Sequence, residues 1–235
     1  KRIPWGQVIG TGLSLAMGVG CGVVLTSWFD CCPAGVSRPL WALGLAAAFL
    51  LALLAQITLH EGGHLVCGLL SGYRFCSFRV GSLMWMKVDG HLRLRRLRLA
   101  GTDGQCLMSP PDMVDGRLPV TLYNFGGALA NLLTAALALA LYGPARRVPL
   151  LAAFLLFLAV IGGFTAAMNG IPLRLGNIDN DGRNALSLGR DPAALRAFWV
   201  QMKVAEAQAR GLRLREMPED WFSMPGDEAL QNAMT

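Results

Sequence analysis

The sequence predicts an all-α polytopic membrane protein, with about four transmembrane helices and a small membrane-associated β-hairpin after the second. Three observations carry this prediction. Hydrophobic residues make up 54% of the 235 residues and charged residues only 15%, against about 25% charged in a typical soluble domain. The apolar residues gather in four charge-free runs, each long enough for the roughly 20 residues a spanning helix needs. Between the second and third runs the pattern changes to period-two alternation around Asp89-Gly90, a strong hairpin-turn signal. The same composition argues against disorder, collagen-like repeats and an ordinary soluble fold.

Residues 3–29 contain no charged side chain and form the first span. The second run, 39–60, is interrupted by Glu61 and resumes as far as Tyr73, so its helix is expected to run from near Leu40 to near Leu70. Residues 119–145 and 148–173 supply the third and fourth spans. Lys1 and Arg2 precede the first span, whereas the stretch 74–117 carries eight Lys and Arg residues against four aspartates. The positive-inside rule therefore places both termini and residues 74–117 in the cytoplasm, with Arg146 and Arg147 pulling weakly the other way. Within that stretch residues 77–98 read as the hairpin. Its Gly81–Met86 portion is too apolar to sit comfortably in water, and an exposed strand edge is expected near 80–85.

Residues 1–173 thus form a transmembrane core, 174–190 a polar loop, and 191–235 a cytoplasmic amphipathic tail. Asp191-Pro192 is a good helix start, and Ala194, Leu195, Phe198, Trp199, Met202 and Val204 lie on one face of a helix ending near Arg210. Residues 217–221 read as loop. The net charge of +6 suits basic cytoplasmic loops, and no basic stripe with interleaved aromatics points to nucleic acid. The six cysteines show no CxxC spacing and read as free thiols.

The chemistry lies in His60-Glu61-Gly62-Gly63-His64. Two of the three histidines in the chain stand four apart, and on a helix i and i+4 share a face, so both imidazoles reach one ion. HExxH is the zinc-hydrolase signature, with Glu61 as general base. Amide hydrolysis at neutral pH needs a hydroxide-like nucleophile and a polarised carbonyl, and Zn²⁺ supplies both. The plain alternative makes His60, Glu61 and His64 buried structural partners. It is disfavoured because an ionisable group in a spanning helix costs about 2.5–3.5 kcal/mol on insertion scales and is seldom decorative. Bare Gly62 and Gly63 would let a substrate backbone or a neighbouring helix approach. Catalytic zinc takes three protein ligands. His91 follows a hairpin turn and reads as solvated, and a Cys67 thiolate would suit a closed structural site better. The stretch 169–182 follows the fourth span directly, so a carboxylate there, Asp179 or Asp181, is able to fold back to the metal.

These residues resemble the site-2 protease family of intramembrane zinc metalloproteases. HEGGH at 60–64 is similar to the family's HExxH on a membrane helix. Gly127-Ala128-Leu129-Ala130-Asn131 resembles its GPxxN-type segment on the next membrane helix, with Ala128 where Pro is usual. Asn169-Gly170-Ile171-Pro172 followed by Asp181-Gly182 resembles its NxxP…DG motif, whose aspartate is the third zinc ligand. The common spacing would put that aspartate eight residues after the Asn, at Asn177; Asp181 keeps the following glycine and is preferred to Asp179. The resemblance covers about residues 40–190 and leaves no room for a PDZ or CBS module, as in a minimal member.

The resemblance implies Zn²⁺ held by His60, His64 and Asp181, catalysis by Glu61, and cleavage of a transmembrane or membrane-anchored protein substrate, often after a first protease has trimmed it. Asn131 and Asn169 are candidate substrate-binding residues, able to hold the backbone or polarise a carbonyl, and equally able to tie helices together. The unwound substrate would add to the strand edge near 80–85. The alternatives are a non-enzymatic metal-binding membrane protein and a catalytically inactive scaffold of the same fold. The lipid bilayer is the expected surrounding, and nucleic acid is not an expected partner. Compact size and the absence of a targeting peptide suggest a bacterial plasma membrane, with the site toward its cytoplasmic side.

Overall fold

The computed structural model describes residues 4–88, 90–97, 103–176 and 178–223. Four helices long and apolar enough to cross a membrane stand where the charge-free runs lie: α1 (Trp5–Phe29), α2 (Arg38–Leu70), α3 (Val120–Ala145) and α4 (Pro149–Gly170). Ser37 is extended and Pro39 stands in the first turn of α2, where a missing N–H costs nothing. At the other end of the bundle α4 stops because Ile171 precedes Pro172 and takes extended backbone, with ψ at 131°. Helices α2, α3 and α4 pack mutually, and α1 lies outside them, mainly against α4. Their outward faces carry leucines such as Leu50, Leu133 and Leu137, each at least half exposed, a surface that suits lipid rather than water.

With 33 residues, α2 is about 50 Å long, well beyond the roughly 30 Å of a hydrocarbon core. His60 lies ten residues from its C-terminal Leu70, about 15 Å along the axis. Here α2 crosses α3 at Gly63 and Gly126, where a Cβ on either residue would overlap the other's carbonyl. Gly62 faces open space instead. Of the two bare residues in HEGGH, Gly63 admits the neighbouring helix.

The strands expected over 77–98 belong to a larger sheet. Strands β1 (Arg74–Val80), β2 (Leu83–Val88), β3 (His91–Arg96) and β4 (Gly104–Ser109) form one antiparallel sheet in the order β3-β2-β1-β4. Phe78 stands opposite Trp85 on one side and Cys106 on the other. Asp89 of the expected turn, and Arg98 at the end of the expected hairpin, lie outside the described residues. The sheet also corrects the expected strand edge: residues 80–85 join the two inner strands, so the free edges belong to β3 and β4. Strand β4 escaped the sequence reading because its six residues alternate only weakly and its partner lies nearly 30 residues back.

The polar loop is structured as well. Strands β5 (Arg174–Leu175) and β6 (Ile178–Asp179) make a small hairpin, followed by helix α5 (Asp181–Ser187). The tail begins as expected with α6 (Pro192–Ala209), whose Asp191 carboxylate accepts from the Ala193 and Ala194 amides at 3.0 Å. Where loop was expected at 217–221, Glu219–Phe222 forms a 3-10 turn that sets Trp221 edge-on to Trp199, ring centroids 5.8 Å apart. Helix α6 lies on β4, and its Leu195, Phe198 and Met202 join Tyr73, Cys106, Met108 and Tyr123 in an apolar core capping the bundle. A second core, around Trp41, Leu45, Phe157 and Ile161, holds α2 to α4 at the opposite end.

The crossing gives a direct test. Gly63→Ala should destabilise the protein by about 1–3 kcal/mol through overpacking, whereas Gly62→Ala should be neutral or stabilise it by up to about 1 kcal/mol. Thermal unfolding of the two variants in detergent separates them.

Candidate metal centre

His60 and His64 project from one face of α2, one turn apart, with their rings at 86° and centroids separated by 4.8 Å. Each ring is turned by a hydrogen bond at Nδ1. His64 Nδ1 lies 2.9 Å from the Tyr123 carbonyl oxygen, so this nitrogen carries the proton and donates. His60 Nδ1 lies 2.7 Å from Asn131 Oδ1. The orientation of that amide is set independently, because Asn131 Nδ2 donates to the Gln56 carbonyl at 2.9 Å and to Gln56 Oε1 at 2.6 Å. With Nδ2 between two acceptors, the atom facing His60 is the oxygen, and His60 Nδ1 is the donor. In its neutral form each imidazole therefore turns a bare Nε2 lone pair inward.

Those two nitrogens are 3.2 Å apart, and Asp181 Oδ2 lies 3.3 Å from each. Three lone-pair donors in a near-equilateral triangle repel one another unless a cation sits among them. The edge of the triangle matches that of a tetrahedron with ligands at about 2.0–2.1 Å, which is about 3.3–3.4 Å. His60, His64 and Asp181 form a group that could hold a metal ion.

Asp181, rather than Asp179, reaches the histidines. Asp179 lies between two guanidinium groups, Arg183 Nε at 3.0 Å and Arg174 Nε at 3.3 Å. The β5–β6 hairpin also accounts for the long spacing after Asn169. The Asn180 amide donates to the Leu173 carbonyl at 3.1 Å and the Leu173 amide to Asn180 Oδ1 at 3.0 Å, so the intervening residues bulge out and the chain returns to α4. Asn180 Nδ2 then donates to the Met168 carbonyl at 2.5 Å, and the Arg183 amide donates to Oδ1 at 3.0 Å, which anchors the start of α5 beneath α4. Asn177, where the common spacing points, lies outside the described residues. Among the described residues, neither Cys67 nor His91 joins the cluster.

Glu61 stands beside the triangle, within electrostatic reach of His60, His64 and Asp181, with the Cys106 backbone of β4 close to its carboxylate. Gly104 packs against the Glu61 side chain so closely that a Cβ there would meet Oε1 at 2.6 Å. Gly127 does the same for His60, whose ring fills the space a side chain would need. The two asparagines fare differently. Asn131 is fully buried and its amide is spent on His60 and Gln56, which makes it a positioning residue for His60. Asn169 is half-buried near the end of α4, and its Nδ2 donates back to the Thr165 carbonyl at 3.0 Å.

Sequence reasoning missed Gln56. It is fully buried, its Nε2 donates to the Leu158 carbonyl of α4 at 2.8 Å, and its Oε1 accepts from Asn131 and from Thr134. Gln56 therefore continues the chain of bonds from His60 through α3 to α4. Its signal was present: an amide exactly one helical turn before His60, in a run otherwise apolar but for Thr58. Protein-family models, curated proteins and solved structures give no match to this chain.

Two consequences are measurable. Asn131→Ala should weaken zinc binding about 10–100-fold by releasing the His60 ring, as loss of an outer-shell partner does; a competitive chelator titration reads this. Asp181→Ala should abolish stoichiometric zinc in elemental analysis, whereas Asp179→Asn should keep it with reduced affinity.

Proposed function

We propose that this chain is an intramembrane zinc metalloprotease of the site-2 protease type, hydrolysing peptide bonds in or near transmembrane segments of membrane-protein substrates. The observation that carries the reading is the inward-facing triangle of His60 Nε2, His64 Nε2 and Asp181 Oδ2 with Glu61 beside it. Zinc fits the donor set, two imidazoles and one carboxylate with a fourth position left for water or substrate. When bound, it supplies Lewis acidity that polarises a peptide carbonyl and acidifies water toward neutral pH.

The chain's own residues do the rest. Asn131 and the Tyr123 carbonyl hold the two imidazoles in the tautomer that leaves Nε2 free. Glu61 accepts a proton from the attacking water and delivers it to the departing amine. Substrate must reach the site unwound, because a helix shields its carbonyls in its own hydrogen bonds. Strand β4, an edge of the sheet, borders Glu61 at Gly104, and an extended substrate segment would add along that edge. Asn169, whose backbone borders Gly182 at the start of α5, would hold the substrate backbone. The basic stretch 74–117 supports an orientation with this end of α2 toward the cytoplasm, and the membrane of this reading is a bacterial plasma membrane.

The competing reading is a metal-binding scaffold of the same fold without turnover. Glu61→Gln separates the two. Hydrolysis of a membrane-protein substrate reconstituted with the enzyme should fall about 10²–10⁴-fold while zinc content stays near one per chain. Wild type that holds zinc and cleaves no transmembrane substrate would leave the scaffold, and folded wild type without zinc would remove both.

A further inference from the structure

Away from the metal centre, a cavity of about 420 Å³ opens between the sheet and the C-terminal end of α6. This is the lower part of the roughly 300–1,000 Å³ range of small-molecule pockets, and more than a single ion needs. Arg74 of β1, Lys87 of β2 and Arg210 after α6 line it, together with Phe75, Cys76 and Glu206. We propose that it binds a phosphate-bearing ligand, held by Arg74, Lys87 and Arg210.

Charge and pairing carry the assignment. Among the described residues the lining has three cations and one carboxylate, a formal excess of two positive charges. The carboxylate is already committed: Glu206 is 5% exposed, accepts from Ser109 Oγ, and pairs with the Arg210 guanidinium. Ser109 is the register partner of Arg74, so the same strand pair sets Arg74 beside that carboxylate. Among the described residues no ion pair engages Arg74 or Lys87. Cations gathered on one partly enclosed void raise each other's energy until an anion joins them. A phosphate group, close to a dianion at neutral pH, matches the excess, and guanidinium groups bind its oxygens in forked pairs.

Arg74 follows the end of α2 by four residues, the level of lipid headgroups if α2 spans a bilayer. A phospholipid headgroup and a soluble phosphorylated molecule present the same chemistry to this site. The site is linked to the metal centre by strand β4, with Ser109 at one end and Gly104 packed on Glu61 at the other. Its test reads binding and does not depend on proteolysis.

The experiment measures three probes on the purified full-length protein in dodecyl maltoside: inorganic phosphate, ATP, and phosphatidylglycerol against phosphatidylcholine in mixed micelles. The cavity variant is Arg74→Gln with Lys87→Gln; the control is Arg146→Gln with Arg147→Gln, which removes equal charge at the exposed α3–α4 connection. Lys87→Glu alone, at an exposed strand position, replaces the double variant should that fail to fold. Binding of phosphate or ATP that weakens about tenfold or more in the cavity variant and not in the control identifies a soluble ligand. Phosphatidylglycerol binding with that same pattern, and no response to phosphate or ATP, identifies a headgroup. If no probe binds, or if cavity and control variants weaken binding equally, the proposal is overturned.

Discussion

The hydrogen bond from His60 Nδ1 to Asn131 Oδ1 is the contact on which the centre depends. Without it the imidazole is free to rotate or to exchange tautomers, and its Nε2 lone pair has no fixed direction. The bond has a direction only because Gln56 holds the other end of the Asn131 amide. Gln56 is in turn fastened to the Leu158 carbonyl, so one line of bonds runs through α2, α3 and α4. These polar groups sit in the part of the bundle least able to solvate them, and each left unpaired would cost about 1–3 kcal/mol. The result couples helix packing to ring orientation: sliding α3 against α2 would break the line and misdirect His60 together.

The second constraint is how the third donor arrives. Asp181 belongs to neither helix of the histidine pair, and its position rests on a chain reversal after α4. Pro172 ends the helix, the β5–β6 hairpin absorbs the extra residues, and Asn180 bonds to backbone on both sides of the turn. Asp179 serves the same loop from within, its charge satisfied by Arg174 and Arg183. Two aspartates two residues apart thus have unlike tasks, decided by which way each side chain leaves the hairpin. Glu61 is placed by a third element, β4, so the helices, the loop and the sheet each contribute one part of the site.

The spanning helices were legible because their signal is local and strong: long charge-free runs end within a few residues of the helix ends. The histidine pair was legible for the same reason, since i and i+4 on a helix share a face whatever surrounds it. The sheet was legible except for β4 and its pairing. A tight turn announces the β2–β3 pairing, while β4 joins β1 from nearly 30 residues away through a short, weakly alternating segment. The choice of Asp181 over Asp179 rested on the following glycine. The structure agrees on the residue through a hairpin that no spacing rule contains. Asn131 stood out in the sequence as a polar residue on a membrane helix, and only the packed helices show that its amide bonds to His60 and Gln56.

Composition and periodicity by themselves determined that this chain is a bundle of membrane-length helices and that His60, Glu61 and His64 share one helix turn. Those properties follow from the chemistry of neighbouring residues and from helix geometry. Only the tertiary structure decided which carboxylate completes the triangle, which tautomer each histidine adopts, which strand borders Glu61, and which cations meet in one cavity. Each of these depends on groups far apart in sequence meeting within about 3 Å, where a hydrogen bond either forms or does not. A linear pattern carries no record of that distance.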